Sequence, residues 1–456
     1  MPSPTPTSLE RRLGPFDAAA IVVANVIGAG ILFTPPFIAS MVPHPVWFLS
    51  TWLAGGVLAF FGAMAYAELA ALRPRAGGEY VYLREAYGPL AGFMTGWTSF
   101  VAGFAGAMAA SAILLIFLIN RFIPGVADST PFFVIPLPYV PMTFSRHTLM
   151  AIIALWLFAL VHILGVGPGR AVMNVLATLK VTALIVFVAL GFAIGSGSSA
   201  NFQQQAAAPI SVTNWLLALV PVMFTYSGWN AAAYMAEEIR DPGRNVPRAL
   251  LIGTIAVIIV YALLNALYLY AMPVGELAAV KGSVFDLIGE RILGARAGDL
   301  LAVIAIVSVS AGLNAWTFAG PRVYYAMARD GVFFPAASRV HPRFKTPHVS
   351  IMAQATWASV LILTGSLDTL SNYVGFAITL FAGIAVAAVF VLRARDPHAP
   401  RPYRTLGYPI APGIFVLASL AIVLNAFYRN PGPSSLGLLV ICAGIPLYMF
   451  LTRRRR

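Results

Sequence analysis

Lys180 is the residue best placed to do chemistry. It stands inside the apolar run 169–195, between Thr178-Leu179 and Val181-Thr182. Taking an ionisable side chain to the centre of a hydrocarbon layer costs at least ~2.5 kcal/mol, so such a residue faces the protein interior and is functional by default. Burial there disfavours the ammonium form unless carbonyls or a carboxylate hold the charge. Two roles follow: a fixed cation replacing a bound sodium ion between helices, or a group that gains and loses a proton. Three acids form a second set. Glu68 ends the run 46–72 close to Arg73 and Arg75, while Glu237 and Glu238 end another run just ahead of Arg240, Arg244 and Arg248. These pairs read as ion pairs that hold a gate shut. Exposed pairs contribute little, so only a partly buried network can serve that purpose.

Enzyme constellations are missing. His44, His147, His162, His341, His348 and His398 are scattered without metal-ligand spacing. No HExxH and no Walker loop occur, which removes the parts for zinc proteolysis and for ATP-driven pumping. Gly28-Ala29-Gly30 follows no strand and is not a dinucleotide fingerprint. No cofactor and no metal are expected, and the chain is expected not to be an enzyme.

Composition says what holds these residues. The 456 residues are 59% hydrophobic and 10% charged, against about a quarter charged in soluble domains. Sixteen acids and twenty-nine bases cannot cover a water-facing surface of this size. A helical integral membrane protein remains, and no nucleic-acid partner is expected despite a net charge of +13, because the bases sit in loops between apolar runs. The single cysteine, Cys442, excludes a disulfide framework. No short apolar core with a small-residue cleavage site follows the N-terminal tail, so no removable signal is expected.

Apolar runs separated by polar, Gly- and Pro-rich punctuation mark twelve spans. They lie near 16–42, 46–72, 88–120, 148–166, 169–195, 212–237, 246–272, 298–329, 348–366, 368–393, 409–429 and 433–452, and are called spans 1 to 12. The connection 121–147 is apolar but too rich in proline to span, and is expected to lie on the membrane surface. With the N-terminus inside, inner segments carry twenty-one Lys and Arg residues and outer segments six. That bias places both termini in the cytoplasm of a multi-pass cell-membrane protein.

Two spans are interrupted. Span 1 carries Ile27-Gly28-Ala29-Gly30-Ile31, and span 6 carries Tyr226-Ser227-Gly228-Trp229-Asn230. The second break comes five spans after the first, so the two halves have opposite topology. Glycine lets a helix unwind, which frees backbone N–H and C=O groups that cannot stay unpaired in lipid. Paired breaks of this kind point to a transporter binding site. The positive end of a half-helix suits a carboxylate, and free carbonyls suit an ammonium. A free α-amino acid has both. Packing through small residues is the competing explanation of Gly28-Ala29-Gly30.

These pieces resemble the amino acid–polyamine–organocation superfamily, nearest to bacterial relatives of the L-type amino acid transporters. The resemblance rests on Asn25-Val26-Ile27-Gly28-Ala29-Gly30-Ile31, Ala67-Glu68-Leu69 with Arg75-Ala76-Gly77-Gly78-Glu79-Tyr80, Phe224 through Asn230 with Glu237-Glu238, and Arg329-Asp330-Gly331. It covers nearly the whole chain. It implies an all-α fold of ten helices in two inverted five-helix repeats, about 16–195 and 212–393, with spans 1 and 6 discontinuous. A cytoplasmic tail 1–15 precedes this core. A loop 394–408, two further helices over 409–452 and a basic tail 453–456 follow it.

The resemblance also implies site roles. Substrate sits between the breaks, on the backbone of Gly28, Ala29 and Gly30 for the carboxylate and near Asn25, Ile27 and Phe224 for the ammonium, with Ile31, Thr225, Tyr226, Ser227 and Gly228 around it. Phe224 is an aromatic gate, and Trp316 resembles a pocket-lining aromatic. Lys180 matches a lysine that replaces sodium, with Ser308 as its partner on span 8. Asn230 stands where arginine–agmatine exchangers carry a glutamate, which argues against a dedicated cationic substrate. Ala29 departs from the Ser or Thr common at its position, so the backbone N–H groups must do that work. The expectation is an amino acid transporter for neutral substrates, independent of sodium. Proton symport through Lys180, transport of polyamines or other organic cations, and a non-transporting amino acid receptor stand as alternatives. Oligomeric state is not specified.

Overall fold

The computed structural model describes residues 9–28, 30–137, 141–203, 211–294, 297–364, 367–429 and 431–453. Ala29, Arg296 and Arg454 to Arg456 therefore lie outside the described residues. The described chain is helical apart from a short hairpin in the connection 121–147, where Phe133–Ile135 pairs antiparallel with Met142–Phe144.

Among the described residues, nine helices are long and apolar enough to cross a membrane. The apolar helices Pro15–Val26 and Gly30–Met41, inclined by 45° to each other, make a tenth if the two are counted as one span. Two shorter apolar helices, Val212–Thr225 and His348–Thr364, stand where spans 6 and 9 are expected. The chain is thus an all-α multi-pass membrane protein. Pro15, Pro45, Pro89 and Pro242 each open a helix, a position where the missing N–H has no partner to lose. Ser145 caps span 4, Arg146–Ile163, by accepting from Thr148 N.

Three features escape the apolar pattern. A short helix, Glu79–Tyr87, fills the connection between spans 2 and 3. Two more, Val274–Ala279 and Val284–Leu293, lie between spans 7 and 8. Span 3, Pro89–Ile119, widens into a π-helical turn at Ser99–Gly103. Such a turn frees carbonyls. Ser99 O accepts from Tyr324 Oη at 3.1 Å, and Val101 O accepts from Trp357 Nε1 at 2.8 Å.

Ion pairs tie together the end of the bundle where spans 2, 8 and 10 finish. Glu68 pairs with Arg393 at 2.7 Å and Arg401 at 3.3 Å, and accepts from Thr405 N at 2.7 Å. Its expected neighbours bond elsewhere. Arg73 reaches Glu85 and Asp396, while Arg75 and Arg84 share Asp330 at 3.1 and 2.6 Å. The helix Glu79–Tyr87 carries Arg84 and Glu85 into this end and so redirects the pairing. Glu237 pairs with Arg329 at 2.7 Å and accepts from Ala76 N at 3.1 Å. Glu238 meets Arg322 of span 8 through two hydrogen bonds of 2.7 and 3.1 Å, and neither side chain has any exposure.

That buried pair yields the first prediction. Removing one partner strands an uncompensated charge, so Arg322→Met should lower stability by about 3–5 kcal/mol, whereas Arg322→Met with Glu238→Leu should recover most of it. Denaturant unfolding in a lipid-like detergent reads both. Equal losses in the single and double variants would contradict the pairing.

Candidate functional site

The breaks of spans 1 and 6 face each other. Gly228 adopts φ +99°, a left-handed conformation that suits glycine. A Cβ there would lie 3.0 Å from Asn25 Cβ, and one on Gly30 would lie 2.9 Å from Thr225 Cγ2. Each break therefore needs glycine because the other backbone is so close.

Helix ends at this depth expose carbonyls that need donors. Two side chains supply them. Lys180, fully buried on span 5 (Val166–Ile194), donates through Nζ to Ala24 O at 3.2 Å and to Ile27 O. Tyr261 on span 7 (Pro242–Ala271) places its hydroxyl 2.8 Å from Val26 O and 3.1 Å from Thr225 O, so one phenolic proton serves the ends of both broken helices. The C-terminal end of Pro15–Val26 carries the negative pole of the helix, which favours a cation at Lys180. Ser308 is buried on span 8, but both hydrogen bonds of Lys180 go to span 1.

A cavity of about 200 Å³ opens against the breaks. Asn25, Gly28, Gly30, Phe224, Thr225 and Ser227 line one side of it, and Gly106, Ala107, Ala110 and Ser111 of span 3 line another. Asn25 Nδ2 turns back to Ile21 O at 2.9 Å, which leaves Oδ1 a buried acceptor without a partner. Thr225 Oγ1 bonds Pro221 O at 2.9 Å and approaches Thr34 Oγ1 at 3.2 Å. Ile27, Ile31 and Tyr226 are buried in the packing behind the breaks. Phe224 lines the cavity and is 39% exposed.

Asn230 points away from that cavity. Its Nδ2 donates to Glu79 Oε1 at 2.7 Å and to Tyr234 Oη at 3.2 Å. Glu79 also accepts from Tyr66 Oη at 2.6 Å. Burial raises the Glu79 carboxyl above the usual range, and these donors oppose the rise. Glu79, Asn230, Tyr234, Thr95 and Trp316 line a second cavity. Trp316 lines both, and its ring meets Phe104 edge-on at 5.6 Å. An aromatic wall thus divides the two spaces.

The amino acid permease family profile matches residues 13–451.

The chain belongs to the amino acid permease family.

It is 30% identical to the large neutral amino acids transporter small subunit 2 of Rattus norvegicus, over 97% of this chain and 80% of that one. It is 29% identical to the human b(0,+)-type amino acid transporter 1, over 94% and 85%. It is 27% identical to the serine/threonine exchanger SteT of Bacillus subtilis, over 98% of each chain. This amino acid permease is a membrane transporter and not an enzyme.

The structure brings Asn25, Gly28, Gly30, Phe224, Thr225, Ser227 and Trp316 to one cavity, with Lys180 behind it. Glu68, Glu237 and Glu238 form ion pairs at the far end of the bundle. Sequence reading missed Tyr261, Glu79 and Arg322. Arg322 had a usable signal, being an ionisable residue inside span 8 like Lys180 inside span 5.

Two substitutions test the carbonyl clamp. Tyr261→Phe strands two carbonyl oxygens, a penalty of about 1–3 kcal/mol, and should lower amino acid uptake roughly tenfold while the protein stays monodisperse. Lys180→Met should lower it further, since the lost donor is charged. Wild-type uptake in both variants would show that the clamp does not matter to the cycle.

Proposed function

We propose that this permease exchanges neutral L-amino acids across the cell membrane by alternating access, without sodium. The observation that carries the reading is the cavity where both broken spans meet, with the unpartnered Asn25 Oδ1 on its wall. The start of Gly30–Met41 offers N–H groups and a positive helix pole to a carboxylate. Asn25 and the carbonyl ends of Pro15–Val26 and Val212–Thr225 offer acceptors to an ammonium. Phe224 closes over the bound side chain. Lys180 occupies the place where a sodium ion would hold spans 1 and 5 together, so no sodium is needed for closure.

The ion pairs of Glu68, Glu237 and Glu238 form the cytoplasmic gate in this reading, with both termini on that side. The excess of Lys and Arg there supports the orientation. The names of the relatives support amino acid transport, one of them for large neutral amino acids and one as a serine/threonine exchanger.

Purified protein in liposomes provides the test. Labelled neutral amino acid should enter vesicles preloaded with unlabelled amino acid at least fivefold faster than empty vesicles, with no effect of sodium. Gradient-driven uptake into empty vesicles, abolished by Lys180→Ala, would replace exchange with proton symport. No uptake of any amino acid would overturn the substrate class.

A further inference from the structure

The turn between spans 8 and 9 carries bases that no acid neutralises. Elsewhere at this end of the bundle Arg73, Arg75, Arg84, Arg322, Arg329 and Arg393 each pair with a carboxylate. Among the described residues, Arg339, Arg343 and Lys345 have no carboxylate partner. No Asp or Glu occurs between Asp330 and Asp368. Arg339 and Arg343 are exposed, and Lys345 is half-buried.

The turn holds these bases in place. His341 N donates to Thr346 O at 2.8 Å, and Lys345 N donates to His341 O at 2.9 Å. His341 Nδ1 accepts from Arg343 N and Phe344 N, both at 3.2 Å. The Arg343 guanidinium lies 5.5 Å from the centre of the Phe344 ring, on which His341 also stacks at 4.5 Å. Thr346 Oγ1 donates to Ile163 O at 3.0 Å and so fastens the turn to the last residue of span 4. The bases therefore stand at the level where spans 4, 8 and 9 end. Phe334 of the same connection is 51% exposed and puts an apolar ring at that level. The turn leads straight into the N-terminal end of His348–Thr364, whose first turn holds no acid. The positive pole of that helix opposes the bases beside it, which an anion would relieve.

We propose that this turn binds the phosphate headgroup of an anionic phospholipid, with the Phe334 ring among the acyl chains. Its position selects the occupant, because a turn fixed at the ends of three spans meets lipid headgroups. A leaflet that contains anionic lipid attracts each Lys or Arg next to its surface. The arginines offer paired N–H donors that match phosphate oxygens, and Lys345 adds a point charge. In the proposed orientation the lipid belongs to the cytoplasmic leaflet. It anchors spans 4, 8 and 9 there, apart from the two broken spans. Nothing in this inference depends on which substrate is carried.

The test is lipid binding to the full chain in a neutral detergent, read by native mass spectrometry. Dioleoylphosphatidylglycerol should bind wild type at least tenfold tighter than dioleoylphosphatidylcholine, which has the same chains and a neutral headgroup. The triple variant Arg339→Gln, Arg343→Gln, Lys345→Gln should lose that preference to within about twofold. The double variant Arg121→Gln, Arg291→Gln, which removes two bases elsewhere, should keep it. Inorganic phosphate in tenfold excess over lipid should not displace the phosphatidylglycerol. An unchanged preference in the triple variant overturns the proposal and leaves the turn free for an acidic protein partner. Equal losses in the triple and double variants overturn it in favour of net charge alone. Displacement by inorganic phosphate overturns it in favour of a free anion. If the triple variant does not fold, Arg343→Gln alone should lower the preference at least threefold, and no change there overturns the proposal.

Discussion

Backbone polar groups inside an apolar bundle must be paired, and this permease breaks two helices where water cannot pair them. The remainder of the site follows from that constraint. Gly30 and Gly228 let the two broken backbones come close. Lys180 and Tyr261 then donate to carbonyls at three helix-end positions of span 1 and one of span 6. Each donor comes from a different, unbroken span. The clamp therefore ties spans 5 and 7 to the two broken spans. What it leaves unpaired is a matched pair of poles with an acceptor at Asn25, and an amino acid bears the complementary charges.

The same logic explains the basic end of the bundle. The segment after the span 6 break is anchored twice, by Glu238 to Arg322 and by Glu237 to Arg329 and Ala76 N. The first anchor is fully buried and expensive to separate, whereas the second is partly exposed and cheap. In the proposed gate, opening would carry Glu238 and Arg322 together and part the exposed pairs around them. Arg322 also lies 4.5 Å over the Phe318 ring, and His162 stacks on the same ring at 4.7 Å. That packing fixes spans 4 and 8 as one body on this side.

Much of this was legible in the residues. Apolar runs locate most of the helices to within a few residues because lipid demands long uninterrupted stretches, but the run 212–237 is a helix only over Val212–Thr225. The breaks announce themselves through glycine, and Lys180 through its charge. Tyr261 was invisible, since a tyrosine in an apolar run carries no sign of what its hydroxyl meets. Glu79 was hidden differently. It stands in the motif Gly77-Gly78-Glu79-Tyr80, which names no partner for it, and only tertiary packing carries it, 6% exposed, against Asn230. The pairing of Glu68 with Arg393 and Arg401, rather than with its sequence neighbours, has the same origin. Those partners lie more than three hundred residues away, beyond the reach of any local pattern.

A structure of the permease with a neutral L-amino acid bound tests the central claim most directly. The account predicts density in the cavity between the breaks, the carboxylate on the N–H groups at the start of Gly30–Met41, and the ammonium within hydrogen-bond reach of Asn25 Oδ1 or the carbonyls beside it. Lys180 and Tyr261 should keep their bonds to the helix ends. An amino acid bound elsewhere, or one whose carboxylate displaces Lys180 from Ala24 and Ile27, would contradict it.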